Sequence, residues 1–459
     1  MILRITGFLL LLLFPYSIFA QSSPIVGQWT GAINIQGQDL NISVMFTSSN
    51  GEVDGVLDIP QQNAFNLPVD VPYLSADSVH FEFQTGMGVA SFHSLIDQPV
   101  PNELKGVFKQ SGMEFPFYLE RELADAETSI LSELEQVISV DLDTHTLTGN
   151  LVTPDEAENI LIILASGSGS QDRNSGVAGF EVFKEIAKEL SDAGYSSFRF
   201  DDRGVGESSG EPDATLQELG DDLTGLVNYF REELGQFQKI FILGHSQGGI
   251  TGGLAAKQSA VDGLILMAAP VLSGDEIILE QIRQISAYQE IPDEIVEQNL
   301  IFQKAIYEAV RTGEGWSELE EDLTERLKSQ IDELPEQQRE ALGNLDDFVA
   351  GQVARQLSGA KTRWFKSFIE TDPAEVYAEL DIPMLAIFGE KDIQVVAESN
   401  LEALTALEKD AISIKLIQEA NHLFQKANTG MPGEYGVLDK EFTEGFSEAI
   451  LEWLRDREE

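Results

Sequence analysis

The sequence predicts an α/β protein: a doubly wound, mostly parallel sheet with a helical insertion, preceded by a small all-β barrel or sandwich. Three features carry this expectation. Residues 25–120 read as short strands, with Gly and Pro about every eight to twelve residues and a hairpin signal at Asn50-Gly51. After residue 140 strands alternate with helices, the rhythm of parallel β-α-β units. Between 272 and 375 the alternation stops and the chain reads as helix alone.

A chain of 459 residues fits two or three domains at the usual size of about 150 residues each. A hydrophobic content of 42% with 26 Phe is ample for packed cores. The 29 Lys and Arg face 78 Asp and Glu, for a net charge of −49. Such a surface repels phosphate backbones and anionic lipid, which excludes nucleic acid as a partner. Salt adaptation and a merely solvated surface both fit the acid excess; at physiological salt charges are screened beyond about 8 Å, so added salt should relieve the self-repulsion. The absence of Cys removes disulfides, thiolate metal sites, a Cys nucleophile and lipoprotein attachment.

Taken in order, Met1–Ala20 reads as a secretory signal. Arg4 is its early cation, Phe8–Phe14 its apolar run and Ala20 its small residue, with Ile18 a poor match at the −3 position. The run is short for a bilayer, which needs about 20 apolar residues. An uncleaved anchor is the competing reading. The expectation is export to the periplasm or medium, with no membrane span in the mature chain.

Residues 21–121 are the β-domain, with strands at 33–35, 40–46, 79–83 and 104–108. Gly27-Gln28-Trp29 resembles the G-x-W start of lipocalin barrels, so a ligand-carrying barrel stands beside a packed accessory domain. Residues 122–139 read as an acidic helical connector. Residues 140–459 form the α/β domain. Its predicted strands are 159–165, 195–200, 239–243, 264–267, 384–388 and 412–417; its predicted helices are 180–190, 216–230, 247–257, 396–407 and 440–455. The insertion 272–375 should lie over the carboxyl ends of the strands, where ligands bind, as a lid.

Gly244-His245-Ser246-Gln247-Gly248 fits G-x-S-x-G, directly after one predicted strand and before a helix. The turn strains the serine backbone, leaves room only for glycine at 244 and 248, and presents the Ser246 hydroxyl at a helix N-terminus. A serine hydroxyl needs a base. Of the five His, His80 and His93 fall in the β-domain, His145 precedes the sheet and His245 should point away from its neighbour. His422, just past the last strand, remains. Asp392, in the loop after 384–388, is placed to orient it, with Glu390 as rival. The order Ser246, Asp392, His422 is that of α/β-hydrolases. Oxyanion donors are expected from the backbone N–H of Gln247 and from Ser168 in Ser166-Gly167-Ser168-Gly169-Ser170. That loop lacks the lysine of a phosphate cradle. Asp201 and Asp202 could suggest a metal, but the adjacent Arg203 favours an ion pair that fixes the loop. Trp364-Phe365 fits either an acyl pocket or a core.

With these residues in view, 140–459 resembles the α/β-hydrolase superfamily, and more narrowly bacterial serine carboxylesterases of the EstD type. The strings are SGSGSQDR (166–173), FDDRGVGES (200–208), GHSQGG (244–249), WFKSFIETDP (364–373), GEKD (389–392) and NHLFQ (421–425). Members of that group often carry an N-terminal β-domain. The oxyanion loop departs from the group at Ser170, where a Pro often stands. The resemblance implies hydrolysis of short- to medium-chain acyl esters, small-molecule substrates, through Ser246, Asp392 and His422, with no metal and no organic cofactor. Two other readings remain: a serine aminopeptidase or amidase using lid carboxylates such as those of Glu318–Asp322, and a lipid-carrying protein with an inert hydrolase domain.

Overall fold

The computed structural model describes residues 25, 27–35, 37–49, 52–62, 64–75, 78–85, 88–96, 102–110, 112–121, 134–155, 157–332, 336, 339, 342 and 344–458. The Met1–Ala20 segment and connector residues 122–133 lie outside them.

The first domain is a closed antiparallel barrel of eight strands, β1 (Gly27–Ile35), β2 (Gln38–Ser49), β3 (Glu52–Ile59), β4 (Ala64–Leu74), β5 (Ser78–Thr85), β6 (Gly88–Leu95), β7 (Glu103–Gln110) and β8 (Met113–Arg121). β1 closes on β8, with Trp29 opposite Arg121, and closure removes the exposed edges of an open sheet. Alternate residues point inward. Trp29, Phe46, Phe81 and Phe92 are fully buried there, and the Phe81 and Phe92 rings stack at 4.5 Å. These side chains belong to one buried apolar cluster of the barrel. The short turn Pro60–Gln62 between β3 and β4 packs against the turn Pro432–Val437 of the second domain.

The second domain begins one element earlier than the sequence suggests. The expected helical connector reaches residue 139, yet Glu135–Asp141 is a strand, β9, paired antiparallel with β10 (Thr146–Val152). Ile138 and Val140 are buried while Val137 is exposed. That two-residue period, built on β-branched side chains and met by a pairing partner, overrides the acidic helical composition.

β11 (Ile160–Ala165) is followed by a two-residue hairpin, β12 (Gly176–Val177) and β13 (Phe180–Glu181), and then by β14 (Ser196–Phe200), β15 (Lys239–His245), β16 (Gly263–Met267), β17 (Met384–Gly389) and β18 (Ile412–Ile417). The large sheet runs β18-β17-β16-β15-β11-β14-β10-β9. It is parallel from β18 to β14 and antiparallel at β10 and β9. β11 and β17 are apolar along their whole length, as strands covered on both faces are. Helices α1 (Val182–Asp192), α2 (Leu216–Asn228) and α3 (Gln247–Ala256) alternate with them. Thr215 and Glu218 form a capping box that starts α2.

Among the described residues six α-helices lie between β16 and β17: α4 (Gly274–Tyr288), α5 (Asp293–Thr312), α6 (Trp316–Asp332), α7 (Leu345–Ser358), α8 (Arg363–Glu370) and α9 (Pro373–Ala378). Their core, with Phe302, Ile306, Val353 and Phe365, is continuous with Leu216 of α2 and Ile250 of α3. The insertion is thereby seated on the two helices that flank the serine elbow. After α10 (Ala397–Thr405), the last helix, α11, spans Phe446–Arg455. It starts later than Lys440 because Gly445 takes φ 91° and Thr443 N–H bonds Phe424 O at 2.8 Å. Among the described residues no helix is long and apolar enough to cross a membrane.

Candidate active site

The strand order reverses at β11: the next long strand, β14, lies on one side and β15 on the other. Ala165 and Gly244 are register partners, so the loops leaving β11 and β15 emerge side by side. Such a crevice at the carboxyl ends of parallel strands is where ligands bind in doubly wound sheets.

Ser246 sits on the sharp turn between β15 and α3, with φ 53° and ψ −123°. Positive φ in a non-glycine residue is strained, and strain of this kind gathers at functional sites. The turn fits because its neighbours lack side chains: a Cβ on Gly244 would lie 2.2 Å from Gly248 O, and one on Gly248 would lie 2.1 Å from Ala165 O. Gln247 is the first residue of α3.

The loops after β17 and β18 deliver the other two side chains. Asp392 Oδ2 is 2.7 Å from His422 Nδ1, with both side chains buried. The second carboxylate oxygen, Oδ1, accepts the N–H groups of Gln394 (2.7 Å) and Val395 (2.9 Å). Both oxygens are therefore occupied and the rotamer is fixed. A carboxylate only accepts, so the Nδ1 that faces Asp392 carries a proton. Glu390 is engaged elsewhere: its Oε2 accepts Glu419 N–H at 2.9 Å.

The loop carrying His422 is shaped by Asn421, whose side-chain oxygen accepts the N–H groups of Leu423 (2.9 Å) and Gln425 (3.0 Å). Behind Asp392, the Tyr435 hydroxyl accepts from Gln394 Nε2 at 2.9 Å. Burial, with the Asp392 charge, holds that hydroxyl well above its usual pKa, so it stays neutral. In the sequence Asn421 stands only within the string NHLFQ and Tyr435 is not singled out; an Asn that accepts the N–H two residues on makes an Asx turn.

His245 does not simply point away. Its Nε2 is 3.0 Å from His422 O and the two rings are 4.8 Å apart. Burial and the neighbouring His422 lower its pKa to about 3. The remaining histidines are remote in role: His145 meets Asp222 at 3.0 Å, and His80 and His93 stack at 4.1 Å in the barrel.

The loop 166–173, carrying Ser168, arches over the elbow. A Cβ on Gly167 would stand 3.4 Å from Ser246 Cβ. Arg203 does fix a loop, but its partner is Asp222, at 2.6 and 2.8 Å, rather than the adjacent acids. Asp201 instead binds Arg173. Among the described residues no three His, Asp or Glu side chains converge as a metal site.

A cavity of about 270 Å³ adjoins the elbow, lined by Ser166, Asp202, Gln247, Thr251 and Trp364 among others. Ser246, Asp392 and His422 do not line it. Trp364, on α8, donates its indole N–H to Gln247 Oε1 at 2.5 Å and stacks on Phe368 at 5.2 Å. It thus joins the insertion to the residue after the serine, besides walling the cavity.

The strand order, and a serine elbow after β15 with an acid and a histidine after β17 and β18, define an α/β hydrolase. The chain belongs to the alpha/beta hydrolase fold family, whose model matches residues 161–428. It is similar to Esterase EstD of Thermotoga maritima, at 25% identity over 307 residues, which cover 65% of this chain and 64% of that protein. The match thus spans slightly less than two thirds of the relative's own length. Solved structures of similar fold include an esterase of Pyrococcus furiosus (13% identity, 73% of this chain and 96% of that one, TM-score 0.43). A thermophilic esterase from Thermogutta terrifontis (21%, 71% and 100%, TM-score 0.40) and a proline iminopeptidase of Mycobacterium smegmatis (14%, 70% and 99%, TM-score 0.43) are also similar.

Proposed function

We propose that this protein is a serine carboxylesterase that cleaves esters of short- to medium-chain acids through an acyl-enzyme. The observation that carries the reading is the buried His422–Asp392 pair at 2.7 Å, on loops after β17 and β18, together with a serine held at φ 53° on the elbow after β15 of the same sheet. His422 Nε2 takes the Ser246 proton as Oγ attacks the ester carbonyl carbon. The carbonyl oxygen becomes an oxyanion, stabilised by the N–H groups of Gln247 and Ser168. The C–O bond to the alcohol breaks, and the alkoxide leaves with the proton from His422. Water, deprotonated by the same nitrogen, then attacks the acyl-enzyme, releasing the acid and restoring Ser246. Export through Met1–Ala20 is part of the same proposal.

The aminopeptidase alternative called on carboxylates of 318–322. Of these, Glu320 is bound to Lys361 and Asp322 to Arg326. Faster hydrolysis of amino-acid anilides than of simple esters would favour that alternative. The serine nucleophile is tested by treating the protein with a fluorophosphonate and mapping the adduct by mass spectrometry. One adduct, on Ser246, is expected; a folded protein left unlabelled at Ser246 would contradict the reading.

A further inference from the structure

The two acids that open the segment 201–208 are not spent on the ion pair beside them; both reach across to the arch 166–173. Asp202 spans it. Its Oδ1 accepts the Ser166 hydroxyl at 2.6 Å and its Oδ2 accepts Gln171 N–H at 2.9 Å, while its own N–H donates to Gln171 O at 3.0 Å. Three bonds from one residue thus hold both feet of a short arch whose middle is Gly167, Ser168, Gly169 and Ser170. Asp201, itself buried, fastens the next residue on. Its Oδ1 accepts Arg173 N–H at 2.9 Å and Nε–H at 3.0 Å, and its Oδ2 accepts Nη2–H at 2.5 Å. Arg173 is anchored in turn to Asn150 (2.6 Å) and Glu207 (2.7 Å).

An arch rich in glycine has no shape of its own, because glycine restricts φ and ψ least. Its height above Ser246 must come from what ties its feet. One carboxyl group that accepts from both ends at once, through Oδ1 and Oδ2, is an effective tie. The arch passes close to the elbow, since a Cβ added to Gly167 would stand 3.4 Å from Ser246 Cβ.

We propose that Asp202 is a positioning residue for the oxyanion hole, holding the arch 166–171 at the height where its backbone N–H meets the developing oxyanion, with Asp201–Arg173 as the second fastening. This rests on the esterase reading above and adds to it a residue that never touches substrate oxygen. Asp202→Ala frees the Ser166 foot and leaves the Gln171 foot only the backbone bond from the residue 202 N–H to Gln171 O. Asp202→Asn keeps both feet tied, because the amide oxygen still accepts Gln171 N–H and the amide NH2 donates to a turned Ser166 hydroxyl.

The test compares nitrophenyl butyrate hydrolysis with inhibition by a trifluoromethyl ketone, which adds Ser246 to its carbonyl carbon and places an oxyanion in the same hole. Asp202→Ala is expected to lose about 10- to 100-fold in kcat, less than outright removal of a donor, with KM changed less than about threefold. The ketone Ki should rise by the same factor as kcat/KM falls, and Asp202→Asn should recover most of the loss. Should Asp202→Ala fail to fold, Ser166→Ala, which unties one foot, carries the test with an expected loss of about two- to tenfold matched in Ki. Unchanged kcat in Asp202→Ala, or a loss of activity with the ketone Ki unmoved, would overturn the proposal while leaving the esterase reading intact. A wild-type protein without Ser246-dependent hydrolysis would overturn both.

Discussion

The His245 ring lies 4.8 Å from that of His422, and its Nε2 meets the His422 carbonyl oxygen at 3.0 Å. A carbonyl can only accept, so His245 is the neutral tautomer protonated at Nε2. It ties the backbone of the proposed base to the residue just before the proposed nucleophile. With its pKa near 3 in the folded state and the ordinary value of about 6.5 when unfolded, the unfolded chain binds the extra proton below about pH 6.5. This contribution to stability is present above that pH and is lost as pH falls toward 3. Denaturant titrations should show up to about 1.4 kcal/mol lost per pH unit from this one group, and His245→Asn should flatten that dependence. An unchanged slope in the variant would show that His245 is not neutral and buried as described.

Asp202 carries the opposite sign. Burial, reinforced by Asp201 and Asp222 and opposed by the bonds from Ser166 and Gln171, raises its carboxyl to about 7. The folded state holds the proton more tightly than the unfolded one, so its ionisation lowers stability as pH rises from about 4 to 7. Asp202→Asn should therefore melt higher than wild type at pH 8 and gain little at pH 4. A 1 kcal/mol recovery corresponds to about 2–4 °C in a domain of this size. A gain independent of pH would contradict the assignment.

Asp392→Asn should reduce kcat by about 10³- to 10⁴-fold, because an amide no longer fixes the imidazole with its proton on Nδ1. Glu390→Gln, whose carboxylate binds a backbone N–H on the far side of the loop, should change kcat by less than about threefold. Equal losses in the two variants would remove the distinction between them. Steady-state kinetics on one nitrophenyl ester decides it.

Trp364→Phe removes the N–H that holds Gln247 Oε1 and keeps the ring over Phe368. The lost bond is worth about 0.5–1.5 kcal/mol. If it steadies the Gln247 backbone N–H, kcat should fall about two- to tenfold with KM nearly constant. A change confined to KM would assign Trp364 to the cavity wall alone.

Much of this was legible in the sequence because it rests on local spacing. The elbow needs glycines at 244 and 248 around a serine, and the strands are runs such as Ile160–Ala165 with turn signals beside them. Contacts between distant segments were not legible. Nothing in the sequence tells that Arg203 passes over its neighbours to reach Asp222, that Asp202 spans the arch, or that Trp364 reaches Gln247 across 117 positions. The helical reading of 135–139 failed for the same reason. An edge strand is stabilised by its partner β10, and acidic composition says nothing of a partner.

The central claim is that Ser246 cleaves esters. Hydrolysis of nitrophenyl acetate, butyrate, octanoate and palmitate by residues 21–459, with Ser246→Ala run as the blank, tests it most directly. A Ser246-dependent rate that is highest on acetate or butyrate is the predicted result. A folded protein with no Ser246-dependent rate on any of the four would contradict it.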